Sequence, residues 1–101
     1  MTKPFDENSP DELRSLATRI EALPPGLAGG DARHLNTLAA YALGWSERQC
    51  RAGRARRLGW HWFGPDGEGP RSMPGLIGKA KRGETLAALR AKADRLEVDR
   101  A

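Results

Sequence analysis

Residues 40–58 read AYALGWSERQCRAGRARRL, and the fold turns on how this stretch is built. A small-residue apolar segment halts at Gly44, resumes after Ser46, and runs into Arg48, Arg51, Arg54, Arg56 and Arg57. Two constructions compete: two helices joined by a tight turn with the second offering its arginines to a partner, or two ordinary helices with a heavily solvated back. In both, Gly44 supplies a left-handed helix stop, because glycine bears no Cβ to clash at positive φ. Ser46 then caps the next helix, with Gln49 at the capping-box position, and Trp45 and Cys50 are spaced as a hydrophobic staple. Gly53 costs such a helix close to 1 kcal/mol relative to alanine. The sequence leaves open whether one helix runs through it or RARRL forms a separate turn.

Upstream, SPDEL at 9–13 marks a helix start: Ser9 as N-cap, Pro10 at the first helical position, Glu12 closing a capping box. Leu13, Leu16, Ile20 and Leu23 recur as one apolar stripe. Pro24, Pro25 and Gly26 end it, and LAGG at 27–30 is a loose connector. Asp31 caps a second helix whose inner face is Leu35, Leu38, Ala39, Ala42 and Leu43. Downstream, GWHWFG at 59–64 is short and aromatic, hence a strand, and PDGEG at 65–69 is a turn. Alternation puts Trp60 and Trp62 on one face of that strand, His61 and Phe63 on the other. Met73–Ile77 is the only candidate for a return strand. A last helix over about 84–98 carries Leu86, Leu89, Ala93 and Leu96 on a stripe spaced like the first, suited to packing on it or pairing with a second copy as a homodimer.

The expected architecture is α+β and mostly α: four helices including a helix-turn-helix at about 32–58, with an aromatic β-hairpin wing at about 59–78. Residues 1–8 form a flexible N-terminus, 9–98 one compact domain and 99–101 a tail. The chain has 101 residues, 39% hydrophobic and 30% charged, which fits a folded domain rather than a disordered segment. Mean hydropathy is −0.64, and neither a membrane span nor a signal-peptide core is visible. A single cysteine, Cys50, forms no intramolecular disulfide and suits a reducing cytoplasm. Catalysis is not expected, since Cys50, His34 and His61 have no spacing that pairs a nucleophile with a base. Nor do they have metal-ligand spacing, and no cofactor is expected.

Charge distribution says more than the net +4. Residues 1–43 sum to −2, residues 44–83 to +6, and residues 84–101 to zero. A positive centre of this kind suits a polyanion-binding surface, although an arginine-rich solubilising face would look the same.

The run A-Y-A-L-G-W-S-E-R-Q-C at 40–50 resembles the winged-helix-like helix-turn-helix pattern of phage and bacterial DNA-binding proteins. The resemblance covers about twenty residues. It implies a recognition helix from which Ser46, Glu47, Arg48, Arg51 and Arg54 face double-stranded DNA, with Arg56 and Arg57 meeting phosphates. Lys79, Lys81 and Arg82 would add a second backbone-binding cluster. RIEAL at 19–23, DARHLNTLAAYALGW at 31–45 and WFGPDG at 62–67 also resemble the phage ABA sandwich domain, over about half of the chain. That resemblance implies an α+β sandwich of phage or prophage origin. The expectation is thus a non-enzymatic phage-type DNA-binding protein for transcriptional control or DNA packaging. The alternative is a phage protein-interaction module that inhibits a host nucleic-acid-dependent machine, such as a CRISPR-type defence complex.

Overall fold

The computed structural model describes residues 5–24 and 29–100, the side chain of Arg100 excepted. The expected stop at Pro25–Gly26 and the first part of the 27–30 connector therefore lie outside the described residues, as do residues 1–4 of the expected N-terminal segment and the last residue of the tail. The order is α1 (Pro10–Glu21), α2 (Gly29–Ala42), β1 (Ser46–Ala52), β2 (Arg57–Phe63) and α3 (Arg82–Arg100). The α+β class agrees with expectation, but there are three helices among the described residues rather than four.

The missing helix is the decisive correction. Ser46–Ala52, expected as the recognition helix of a helix-turn-helix, is instead a strand, antiparallel to Arg57–Phe63. Ser46 caps nothing, Gln49 closes no box, and Trp45 and Cys50 staple no helix. The physical reason lies in the next segment of the chain. The aromatic stretch RLGWHWF offers a complete ladder of backbone partners, from Ser46 opposite Phe63 to Ala52 opposite Arg57. A helix over 46–58 would have had only Cys50 and Leu58 to bury, with Gly53 in its middle and Arg54 on the face between them. Four residues, Gly53–Arg56, close the hairpin, with the Arg56 amide donating to Gly53 O at 3.2 Å.

α1 begins as the sequence indicates. Ser9 is the N-cap and its hydroxyl accepts from the Glu12 amide. The box is only half made, because the Glu12 carboxylate accepts from the Asp6 amide at 2.7 Å rather than from Ser9. Leu13, Leu16 and Ile20 are buried and Leu23 packs at the margin, as the stripe predicts. α2 starts at Gly29, so Asp31 sits in its first turn rather than at its cap. Its end is a Schellman stop: Gly44 has φ +94°, its amide donates to Tyr41 O, and the Trp45 amide reaches back to Ala40 O at 2.9 Å. Lys92 Nζ of α3 donates to Ala42 O at 2.6 Å and so covers a further carbonyl at this end.

The core is a three-helix layer. Leu86, Leu89 and Ala93 of α3 close over Leu13, Leu16, Ala17 and Ile20 of α1, with Ala32, Leu35 and Ala39 of α2 alongside. The Arg14 guanidinium ties α1 to α3 through Asp94 at 2.8 Å and through Glu97, and Arg90 meets Glu21 at 3.3 Å. Those hydrogen bonds, to Glu97 first and Asp94 second, hold Arg14 even further above neutrality than an ordinary guanidinium.

Met73–Ile77 is not the return strand. Among the described residues β2 gains only one bridge on its free edge, Trp62 with Arg71, through bonds of 2.8 and 3.1 Å. The segment after it is irregular chain, with Gly75 exposed and Met73 and Leu76 half-buried, and it delivers Ile77, fully buried, to the core. An irregular segment at this depth needs a partner for each polar backbone group. Asn36, itself buried, donates to Pro74 O at 2.9 Å and accepts from the amides of Leu76 at 2.8 Å and Ile77 at 3.3 Å. Thr85 Oγ1 donates to Leu76 O at 2.6 Å.

Replacing Asn36 with leucine removes one donor and a shared acceptor and leaves buried backbone groups unpaired. The expected loss is about 3 kcal/mol of unfolding free energy, read as a lower urea midpoint at unchanged m. A loss below about 0.5 kcal/mol would show that the amide is not what holds the segment.

Candidate nucleic-acid interface

The hairpin is anchored at one end only. At its base Trp62 is 6% exposed and lies against Tyr41, ring centroids 5.2 Å apart. Gly69 passes so close to this point that a Cβ there would meet Trp62 O at 2.5 Å. From Arg51 to Leu58 the ribbon is exposed on both faces except for half-buried Ala52.

Its register sorts the side chains, since directly opposed residues share a face. One face carries Glu47 opposite Trp62, Gln49 opposite Trp60, and Arg51 opposite Leu58. The other carries Arg48 opposite His61, Cys50 opposite Gly59, and Ala52 opposite Arg57. The expected division of Trp60 and Trp62 from His61 and Phe63 therefore holds. Only Trp62 is core, however; Trp60 is 63% exposed.

The expected site residues scatter into three environments. Ser46, Glu47, Arg48 and Arg51 stand on β1, Arg54 and Arg56 in the hairpin loop, and Arg57 at the start of β2. Arg48 lies over the Phe63 ring, 3.9 Å from its centroid, so its charge is partly committed near the base. Arg51 donates to Arg56 O at 3.1 Å, which braces the loop. Arg56 adopts φ +51°, the left-handed region that glycine occupies with ease and that costs other residues about 1–2 kcal/mol. Among the described residues, none of these five arginines has a carboxylate within ion-pairing distance; the ion pairs belong to Arg14, Lys81 and Arg90.

The second cluster separates. Lys79 and Lys81 are exposed in the turn before α3, and Lys81 faces Glu84 at 3.7 Å. Arg82 belongs to the fold instead: its guanidinium donates to Ile77 O at 3.1 Å, Leu23 O at 2.7 Å and Pro24 O at 3.0 Å. It ties the chain just past α1 to the loop before α3, with each of its three nitrogens already donating to a backbone carbonyl. A surface cleft of about 350 Å³ near Trp45 mixes Arg71 and Lys81 with Glu68 and Glu84, and so presents no single sign of charge.

His34 is exposed on α2, distant in sequence from the hairpin. Cys50 and His61 share a face but are not opposed. Among the described residues no three His, Cys, Asp or Glu side chains group as metal ligands, and no helix is long and apolar enough to cross a membrane. Sequence reading missed Trp60 and Leu58 as exposed apolar groups, 63% and 56% respectively. Alternation placed the two indoles together, but nothing local in the sequence says which end of the strand the helices cover. Comparison of the chain with protein-family models, curated proteins and solved structures gives no match.

Arg82→Lys keeps the charge but cannot reach three carbonyls with one ammonium. Its melting transition should fall by an amount equivalent to about 1–2 kcal/mol, whereas Lys79→Ala and Lys81→Ala should stay within about 0.5 kcal/mol. Equal effects in all three would return Arg82 to the surface cluster.

Proposed function

We propose that the protein binds nucleic acid non-enzymatically, through the free end of the β1–β2 hairpin. The observation that carries this reading is the set of four arginines, Arg51, Arg54, Arg56 and Arg57, at the exposed end of a two-stranded ribbon with no carboxylate paired to them among the described residues. Unpaired like charges on so short a segment repel one another, so their accumulation favours a polyanionic partner over a purely structural role. Two further facts support it. A two-stranded ribbon has the width that enters a nucleic-acid groove. Arg56 also holds a left-handed position where glycine would be easier, so charge is retained there against a conformational cost.

In this reading the arginines act on phosphates. Each planar guanidinium forks two N–H groups onto phosphate oxygens and displaces condensed counterions. Ladder pairing sets the backbone from which Arg51 and Arg57 project, so the ordering on binding falls mainly on the side chains. This differs from insertion of a recognition helix, and Ser46 and Glu47, at the anchored base, take no part.

Binding to a random duplex should weaken with salt at a log–log slope of about −3 to −4, for some four phosphates neutralised. Arg54→Ala combined with Arg57→Ala should reduce that slope by about 2 without moving the melting temperature by more than a few degrees. A double variant that binds with the parent's affinity and slope would overturn the assignment.

Arg56→Gly should leave stability unchanged or raise it by up to about 1 kcal/mol, as relief of the left-handed strain outweighs the added freedom of the unfolded chain. The same change should weaken duplex binding severalfold. A loss of stability with no change in binding would contradict a functional reason for arginine at this position.

A further inference from the structure

The arginines account for attraction to a phosphate backbone but not for the apolar row beside them. Trp62, Trp60 and Leu58 lie on one face of β2, two residues apart, and their environments diverge along the ribbon. Trp62 is buried against Tyr41, whereas Trp60 and Leu58 have most of their surface in water. Opposite them on β1 stand Glu47, Gln49 and Arg51, so the facing charge runs from acidic at the base through neutral to basic at the tip. An exposed indole thus sits between a neutral amide on the facing strand and a cluster of guanidinium groups one step further out.

We propose that Trp60 is a stacking platform for an unpaired nucleobase. Arg51 and Arg54 hold phosphates on the tip side of that base, and the Gln49 amide stands beside the indole within reach of the base edge. The ligand class is accordingly single-stranded nucleic acid, or a strand with an extruded base, rather than continuous duplex alone. Every base has a π-face that an indole can cover, and stacking on an aromatic side chain contributes about 1–3 kcal/mol per base. Ladder pairing of Trp60 with Gln49 fixes the backbone that carries the ring, so little freedom is lost on contact. Charge complementarity selects this occupant over an apolar protein patch. A protein covering Trp60 and Leu58 would have to desolvate Arg51, directly opposite Leu58, whereas a polyanion neutralises it.

This inference rests on the hairpin being the nucleic-acid surface, and its test separates the two claims. Affinities of the full chain are measured for an oligothymidine of about twelve nucleotides and for an abasic strand of equal length and charge. The parent protein should bind the oligothymidine about tenfold or more tightly than the abasic strand, the ratio that 1.4 kcal/mol of stacking produces. With Trp60→Ala the two affinities should converge on the abasic value, and Trp60→Phe should restore most of the difference. Equal binding of both strands by the parent overturns the stacking platform while leaving the arginine surface standing. Binding of neither strand overturns the stacking platform, and the arginine surface falls with it when random duplex is not bound either. Self-association of the free chain that Trp60→Ala abolishes would assign the indole to a second copy and also overturn the proposal.

Discussion

The side-chain amide of Asn36 is the interaction around which the rest of the molecule is arranged. A chain that dips into the core without helix or strand hydrogen bonds must still find partners for the backbone groups it buries. Asn36 resolves that conflict from the inner face of α2 by accepting two amides and donating to a carbonyl of the same segment. Ile77 can then enter the core, the chain can turn into α3, and α3 can close over α1. Thr85 and Arg82 extend the same solution, each supplying a donor to a carbonyl of this segment.

Arg82 and the hairpin arginines show one residue type used in two opposed ways. Arg82 spends all three kinds of guanidinium nitrogen on carbonyls of its own chain, joining residues more than fifty positions apart. Arg54 and Arg57 have no partner of that kind among the described residues and stand in solvent. Composition cannot distinguish them, because the difference is made by the loop that comes to rest beside Arg82. The same applies to Lys92, whose position on a polar stretch of α3 says nothing of the α2 carbonyl it reaches.

Much of the helical framework was legible in the sequence. The capping serine, the Leu13–Leu16–Ile20 stripe, the glycine stop at Gly44 and the final helix all rest on local rules, and local rules are visible in a window of a dozen residues. The strand GWHWF was legible for the same reason. What failed was the segment after Trp45. A Schellman stop followed by serine reads identically whether a helix or a strand comes next, since Gly44 serves both. The choice was made by pairing with Arg57–Phe63 across a four-residue loop, and pairing is a property of two segments that neither declares alone. The arginine cluster is visible along the chain, but its geometry is not. Charges expected on one face of a helix are divided between two faces and the end of a ribbon.

Because the hairpin touches the helices at its base, through Trp62 and Tyr41, the residues that keep the protein folded are not those at its far end. Surface changes remote from core, caps and networks are nearly neutral for stability. Positions 54, 55 and 57 can thus drift through many side chains while the helical body stays intact. Such a protein is free to diverge in what it grips faster than in what it is, and descendants sharing this scaffold could differ most in the few residues that meet the outside world.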